Sequence, residues 1–192
     1  MTHVLLISGH MGSGKDTFAE AVEETLCQSS TARPDQVVTL HYADYLKFLC
    51  REYFGWSGEK DELGRRILQY VGTEVVREQD ENFWVDLLIR LTKVFRGRWE
   101  WVFIPDTRFP NEIERWKQTC GPDISITTIR ISRAGYEPDV SAAAQTHSSE
   151  TSLDGYAFDY SVHNDGTYED LREAAVNILC DIINEEENPW TI

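Results

Sequence analysis

Apolar and polar positions follow two alternating patterns along this chain, and together they predict an α/β protein. Short, nearly continuous apolar runs, typical of buried strands, alternate with longer segments in which apolar residues recur every three or four positions, as on one face of a helix. Strands that alternate with helices favour a parallel sheet with right-handed crossovers. We therefore predict a five-stranded parallel sheet flanked by helices, within one domain that covers residues 1–192. The predicted strands are 4–8, 37–42, 101–104, 125–131 and 159–162.

The predicted helices are amphipathic, and we expect their apolar stripes to pack on the sheet. The last helix is expected to begin at a capping box formed by Thr167 and Asp170. The stripe that contains Trp84 is strong enough to serve as a core or as a dimer face, so a homodimer is possible. The stripes are Phe18, Ala21, Val22, Thr25 and Leu26; Ile67, Leu68, Val71 and Val75; Trp84, Leu87, Leu88, Leu91, Val94 and Phe95; Ile113, Trp116 and Cys120; and Leu171, Ala174, Ala175, Ile178, Leu179 and Ile182.

A glycine-rich segment directly after the first predicted strand has the pattern of a phosphate-binding loop. Residues 9–17 read G-H-M-G-S-G-K-D-T, with two glycines five positions apart and then Lys15. A buried strand before the loop and a helix after it are the context that this pattern requires. In such a loop the backbone N–H groups, here those around Gly12, Ser13 and Gly14, surround phosphate, and the lysine reaches the β- and γ-phosphates. The positive end of the following helix adds to the attraction for an anion.

Two acidic residues are candidates for a magnesium site. Asp16 stands where this motif usually has Ser or Thr, and the hydroxyl comes one position later, at Thr17. A carboxylate beside phosphate is tolerable chiefly when a divalent cation lies between them, although Asp16 would also favour a helix N-terminus without any metal. Asp106 follows the third predicted strand, where an acid commonly orders Mg²⁺ or its waters in phosphate-loop proteins. The alternative for Asp106 is a turn or helix-capping aspartate.

Composition and charge narrow the class of ligand. The net charge of −15 and the pI near 4.7 produce a field that repels polyanions, which favours a small phosphorylated substrate over a nucleic-acid polymer. The four cysteines are irregularly spaced and without a C-x-x-C pair, so we expect reduced, mostly buried thiols in an intracellular protein. No signal-peptide pattern and no membrane-spanning run is present, so we expect a cytoplasmic protein that does not contact membranes.

Several cationic residues are candidates for phosphate binding, and those near the predicted ends of strands lie where α/β proteins bind ligands. They are Lys47 after the second strand, Arg65 and Arg66 before an apolar stripe, and Arg130 and Arg133 at the end of the fourth strand. Residues 134–148 lack periodicity and form a candidate lid, with a surface loop as the alternative.

A phosphate loop, candidate metal carboxylates, several arginines and a candidate lid are together the components of phosphoryl transfer. Neither GTPase base-recognition motifs nor a G-x-S-x-G nucleophile elbow is found. The residues therefore predict a small-molecule kinase, and they leave its acceptor open.

Motifs along nearly the whole chain resemble the bacteriophage-type deoxynucleoside monophosphate kinases. This resemblance implies an adenylate-kinase-like P-loop kinase fold, with a helical region that binds the monophosphate and a lid. It also implies the reaction of ATP with a deoxynucleoside monophosphate (dNMP) to give ADP and the diphosphate, with Mg²⁺. The motifs are residues 8–17, R-R-I-L-Q at 65–69, G-T-E at 72–74, Trp84, P-D-T-R at 105–108, His147, Glu150, and N-D-G at 164–166.

The same resemblance implies roles for individual residues. Lys15, Arg66, Asp106 and Arg133 would be catalytic. Gly12, Ser13, Gly14, Lys15, Asp16, Thr17, Arg130, Asn164 and Gly166 would bind ATP, with Asn164 and Gly166 against its base and with Arg130 or Arg133 clamping the transferring group. Lys47 and Arg65 or Arg66 would hold the acceptor phosphate, and Gln69, Glu74, Arg108, His147 and Glu150 would also bind the acceptor. Asp16, Thr17 and Asp106 would serve the metal.

Alternatives remain open at this stage. Residues 14–16, residues 106–108 and the region 150–166 also resemble animal-type phosphomevalonate kinases. A kinase that acts on a hydroxymethylated base within DNA would use the same loop, although the negative charge argues against it. A nucleotide-binding regulatory module is the non-enzymatic alternative. The segment between the second strand and Arg65 is shorter than in some relatives, so the accepted base is not predicted.

Overall fold

A parallel five-stranded sheet in the order β2-β3-β1-β4-β5 is the centre of the fold, as predicted. The computed structural model describes residues 1–29, 31–59, 61–135 and 148–187. The central strand β1 pairs with β3 on one side and β4 on the other, so that Leu5 lies opposite both Phe103 and Thr127. The strands are β1 Thr2–Ser8, β2 Val37–Thr39, β3 Trp101–Thr107, β4 Ile124–Ser132 and β5 Tyr160–His163.

Helices follow the strands along the chain. A short 3₁₀ turn at Pro34–Gln36 precedes β2, and helix α3 continues directly into a π-helix over Tyr70–Arg77. The α-helices are α1 Lys15–Gln28, α2 Tyr42–Tyr53, α3 Glu62–Gln69, α4 Phe83–Val94, α5 Pro110–Thr119, α6 Ser148–Thr151 and α7 Tyr168–Glu187. Within the described ranges, no helix is long and apolar enough to cross a membrane.

Each face of the sheet is covered by its own apolar core. Leu5, Ile7 and Phe103 belong to the core that includes α1 and α7, whereas Leu6 and Ile104 belong to the core that includes α4 and α5. Neighbouring residues of β1 thus point to opposite faces, and both faces are buried. This explains why the strand appears in the sequence as a continuous apolar run.

The predicted second strand, 37–42, is too long. Strand β2 ends at Thr39, and Tyr42 is already the first residue of α2. The carboxylate of Asp106 accepts the backbone N–H groups of Tyr42 and Ala43, each at 3.1 Å. A distant side chain therefore stabilises the start of this helix, where local sequence favours a strand.

The predicted apolar stripe of α4 is partly wrong. Trp84 and Leu88 are buried, but Val94 is 76% exposed and Phe95 is 40% exposed. The helix ends at Val94, and Phe95 instead stacks on Trp99 with the ring centroids 4.4 Å apart. The face that packs on the sheet continues through Val85, Ile89 and Thr92.

The cysteines are free thiols, but they are not mostly buried as predicted. Cys50 is buried, Cys27 and Cys120 are half-buried, and Cys180 is exposed.

The predicted apolar stripe over Ile67–Val75 spans the junction of α3 with the π-helix, where the number of residues per helical turn changes. Residues 136–147, which include most of the candidate lid and His147, lie outside the described residues.

Candidate active site

The segment between β1 and α1 adopts a turn that depends on glycine. Gly12 and Gly14 have φ values of +75° and +98°, a region that favours glycine. A side chain at Gly14 would also collide with the amide group of Asn164. Helix α1 begins immediately afterwards at Lys15, so its first N–H groups lie beside the turn.

Lys15 is buried inside this turn. Its ammonium group donates hydrogen bonds to the backbone oxygens of Gly9 and His10 at 2.7 and 2.8 Å. Burial, and then the positive charge of Arg108, lower the pKa of Lys15 to about 8. The turn therefore holds a cation whose charge is sensitive to pH above neutrality.

A pocket of about 370 Å³ opens against the turn and the first residues of α1. Asn164 links the turn to the end of β4. Its side-chain amide donates to the backbone oxygen of Ser13 at 2.9 Å, and its backbone N–H donates to the backbone oxygen of Ser132 at 2.7 Å. Eight of the predicted site residues line this pocket. They are Gly12, Gly14, Lys15, Asp16, Thr17, Arg133, Asn164 and Gly166, and they are joined by Thr167, Tyr168 and Leu171.

Ser13 gives this segment a polar group without a protein partner. Its hydroxyl oxygen is buried and makes no hydrogen bond within the described part of the chain. Buried polar groups are nearly always hydrogen-bonded, so an exception calls for an explanation. A phosphate in the turn would supply an acceptor for this hydroxyl, and the neighbouring ammonium and helix N-terminus fit the same anion.

Arg130 and Arg133 are separated by the fold. Arg133 lines the pocket, whereas the Arg130 guanidinium donates to Ser8 at 3.1 Å and to Asp154 at 2.7 Å and lies 3.2 Å from His10. The structure therefore brings Arg133 to the pocket and holds Arg130 beside the base of the turn.

A histidine links the turn to the start of α2. The His41 ring lies 3.7 Å from the carboxylate of Asp16 and 3.3 Å from that of Asp44. The interaction between His41 and Asp16 lowers the pKa of Asp16 and raises the pKa of His41. Lys47 also pairs with Asp44, at 3.0 Å. Asp16 and Lys47 thus belong to one network at the edge of the sheet.

Asp106 lies at the end of β3 and caps α2 through the two hydrogen bonds given above. Burial raises the pKa of its carboxyl group, and the positive charge of His41 acts in the opposite direction. The helix-capping alternative is therefore observed for this residue. A metal contact remains a prediction.

Arg108 is attached to two glutamates. Its guanidinium pairs with Glu150, and its backbone N–H donates to Glu112 at 2.7 Å. Glu112 also pairs with Arg77, the last residue of the π-helix, and Glu150 accepts the backbone N–H of Met11 at 2.9 Å. A continuous series of ion pairs and hydrogen bonds therefore runs from the π-helix to the phosphate-loop segment.

Sequence reasoning missed Glu112 as part of this series. The sequence does contain a signal for a structural role of Glu112. Pro110 is the first residue of α5, and an acidic residue two positions later is typical of a capping box. The buried ion pair between Glu112 and Arg77 could not be predicted from a local sequence pattern, since the two residues are 35 positions apart.

The predicted acceptor residues of α3 and the π-helix lie away from the pocket. Arg65, Arg66, Gln69 and Glu74 are exposed, and none of the four lines the 370 Å³ pocket. They lie on α3 and the π-helix, in the helical region between β2 and β3.

In the described parts of the chain, no group of three or more His, Cys, Asp or Glu side chains is arranged to hold a metal ion. Mg²⁺ is commonly held by one or two carboxylates together with substrate phosphates and water. Asp16, Thr17 and Asp106 would need to supply only that limited number of contacts, because the nucleotide would provide the remaining oxygens.

Comparisons with known proteins match this chain to kinases. The model of a family described as "Deoxynucleotide monophosphate kinase" matches residues 56–176, which is more than half of the chain. A phosphomevalonate kinase from Drosophila melanogaster is 26% identical over 189 residues, which are 94% of this chain and 96% of that protein.

Solved kinase structures share the fold. An APS kinase from Mycobacterium tuberculosis, in complex with AMPPNP and APS, has a TM-score of 0.52 and 12% identity, with 93% of this chain and 97% of that chain covered. A dephospho-CoA kinase from Campylobacter jejuni also has a TM-score of 0.52 and 12% identity, with 93% and 96% covered. These likenesses show the P-loop kinase fold alone.

Proposed function

Because the chain belongs to the deoxynucleotide monophosphate kinase family, we propose that it transfers the γ-phosphoryl group of ATP to a deoxynucleoside 5′-monophosphate in a Mg²⁺-dependent reaction. The products would be ADP and the deoxynucleoside diphosphate. We further propose that residues 1–192 act as one kinase domain.

The observation that carries this proposal is the pocket at the glycine-rich turn, which we call the donor pocket. It combines the buried Lys15 ammonium, the N-terminus of α1 and Arg133 around a volume of about 370 Å³. These groups supply positive charge for the triphosphate, and Asn164 and Gly166 form the wall beside which the base would lie.

The chemical step needs positioning and charge neutralisation rather than a covalent enzyme intermediate. An oxygen of the acceptor phosphate bonds to the γ-phosphorus, the bond from that phosphorus to the β,γ-bridging oxygen breaks, and ADP leaves with the electron pair. Lys15 and Arg133 stabilise the charge on the transferring group and on the leaving group. Mg²⁺, when bound, would neutralise phosphate charge, with Asp16, Thr17 and Asp106 as the protein groups that hold it or its waters.

The acceptor is expected on the side of the turn formed by α2, α3 and the π-helix. Lys47 and Arg65 or Arg66 would hold its phosphate, and Gln69, Glu74, Arg108 and His147 would complete the site. Two observations support this position for the acceptor. Polar residues of α3 are exposed, and a series of contacts joins the π-helix to the turn.

A turnover panel tests the proposed function. The protein is incubated with ATP and Mg²⁺ and with each common or modified dNMP, and ADP release is followed. We expect at least one dNMP to stimulate ADP release, with loss of activity when EDTA removes the metal. The proposal fails if no dNMP does so while another acceptor does.

A second candidate is transfer to mevalonate 5-phosphate. The Drosophila phosphomevalonate kinase matches 94% of this chain, and such an acceptor is also a small phosphate ester. The family match favours the nucleotide acceptor. Mevalonate 5-phosphate and DNA that contains hydroxymethyluracil are therefore included in the same panel. If either one is turned over in preference to every dNMP, it replaces the dNMP as the proposed acceptor.

A further inference from the structure

We propose that Glu150 is a positioning residue for phosphoryl transfer, which fixes the Arg108 guanidinium and the backbone of Met11 relative to each other. This inference rests on the proposed function, and it deepens that function by assigning Glu150 to the enzyme's internal framework rather than to contact with the acceptor.

The two oxygens of the Glu150 carboxylate join two parts of the site. Oε2 accepts the N–H of Met11 at 2.9 Å, and Oε1 accepts a hydrogen bond from the Arg108 guanidinium. The side chain of Glu150 is only 6% exposed. Since charge-assisted hydrogen bonds are strong in a buried setting, this carboxylate holds the first half of the turn against Arg108.

The chain around Glu150 is itself anchored. Leu153 is 2% exposed and belongs to the core that includes α4 and α5. The next residue, Asp154, pairs with Arg130 at 2.7 Å and lies 3.3 Å from His10. Two acidic residues of one anchored segment therefore lie against successive residues of the turn. Glu150 contacts Met11 from a buried position, and Asp154 lies beside His10 in an exposed position.

Arg108 is anchored from its other side as well. Its backbone N–H is held by Glu112, which is 2% exposed. The guanidinium thus has a defined place between a fixed backbone and a fixed carboxylate. Preorganised charges of this kind stabilise a transition state without reorganisation at the moment of reaction.

A direct contact between Glu150 and the acceptor is disfavoured by the same geometry. Both carboxylate oxygens already accept hydrogen bonds from the protein. A further negative charge next to the acceptor phosphate would also repel it. The contact with Arg108 and Met11 explains the burial of this carboxylate without any substrate.

Glu150→Gln is the test variant, because glutamine keeps the shape but has only one oxygen. It can accept from Met11 or from Arg108, and its NH₂ group then faces the other donor. We expect kcat to fall roughly 10²-fold, because small misplacements of reacting groups cost about that much. The KM for ATP should stay within about threefold, since binding of ATP in the ground state is not the role assigned to Glu150.

Asp154→Asn is the matched control. It removes an acid from the same segment and next to the same turn, but Asp154 is 48% exposed and exposed ion pairs contribute little. We expect its kcat to stay within about threefold of the wild type. Equal losses in both variants would overturn the specific role of Glu150.

A double-mutant cycle with Arg108→Lys separates positioning from general structural damage. If Glu150 acts through Arg108, Glu150→Gln should reduce kcat much less in the Arg108→Lys background than in the wild type. Thermal unfolding of every variant identifies the temperature at which all of them are folded, and the kinetics are measured there. Additive losses in the cycle contradict the proposal. A rise in the acceptor KM with kcat unchanged would instead show a substrate contact.

One readout does not depend on activity. The amide resonance of Met11 should shift much more in Glu150→Gln than in Asp154→Asn, because Glu150 accepts that N–H directly. If the wild type turns over no acceptor, the proposed function fails while this measurement still decides whether Glu150 holds Met11. An unshifted Met11 resonance in Glu150→Gln would overturn the positioning role on its own.

Discussion

A lysine neutralises phosphate only while it is protonated, and the fold makes this condition pH-dependent for Lys15. Burial and the Arg108 charge lower the pKa of Lys15 to about 8 in the protein. Bound phosphate would favour the protonated form and raise that pKa again. Nucleotide binding should therefore take up a proton in mildly alkaline solution.

We predict that the dissociation constant for ADP is constant near pH 7 and rises above pH 8 by up to about tenfold per pH unit. Titrations of metal-free ADP between pH 7 and pH 9.5, followed calorimetrically, measure this slope. Lys15→Arg is the control, because arginine stays protonated over this range and should flatten the profile. A profile that is flat in the wild type, or equally steep in Lys15→Arg, would contradict the role of the Lys15 charge.

Asp106 has one observed role, as the cap on α2, and one proposed role, in holding Mg²⁺ or its waters. The two roles can be tested separately. Asparagine keeps one oxygen that can accept an N–H of α2 but carries no charge. We predict that Asp106→Asn lowers kcat by about 10²–10³-fold, the usual loss when one preorganised group is removed, and lowers thermal stability less than Asp106→Ala does, because one of the two N–H groups of α2 keeps its acceptor. Asp106→Ala should lose both activity and stability.

Steady-state kinetics with a Mg²⁺ titration, together with thermal melts of both variants, check this prediction. Near-wild-type kcat in Asp106→Asn at saturating Mg²⁺ would mean that the residue is only a helix cap.

At the scale of elements, the π-helix Tyr70–Arg77 is tied to its neighbours at two points. The backbone oxygen of Gly72 accepts the Trp84 indole N–H at 3.2 Å, and Arg77 pairs with Glu112 of α5 while its guanidinium lies 4.1 Å from the Phe109 ring centroid. The Arg77 and Glu112 side chains are only 16% and 2% exposed. The helical region between β2 and β3 is thus attached to α5 by a buried charge pair.

We predict that Glu112→Ala lowers the free energy of unfolding by about 3–5 kcal/mol, because it leaves the Arg77 charge without its partner. Urea denaturation followed by tryptophan fluorescence measures the change. Asp86→Ala is the control, since it breaks the more exposed pair with Arg115 of the same helix α5 and should cost much less. Similar losses in the two variants would show that burial of the Glu112 pair is not what matters.

The elements also show what local patterns can predict. The apolar runs identified all five strands, and the capping box of α7 forms as expected, with Thr167 and Asp170 bonded reciprocally at 2.7 and 3.2 Å. The end of β2, the π-helix and the exposure of Val94 were not predicted. The first depends on the contact of Asp106 with the start of α2, and the last on where α4 ends, and a periodic pattern shows neither of these.

At the scale of the whole molecule, the sheet order brings the candidate functional residues together. Strand β1 lies between β3 and β4, so the turn after β1 meets the carboxyl ends of β3 and β4 at one edge. Lys15, Asp106 and Arg133 come from these three places. The net charge of −15 makes such a local concentration of cations necessary for any phosphate ligand.

The sequence by itself determined the phosphate-loop turn, the α/β class and the P-loop kinase type, because these depend on residue types at short spacings. Only the tertiary structure decided that Arg133 rather than Arg130 lines the donor pocket, that Asp106 caps α2, and that Glu150 bonds to Met11 across 139 positions. Such pairings depend on which strands lie side by side, and no local pattern of residues contains that information.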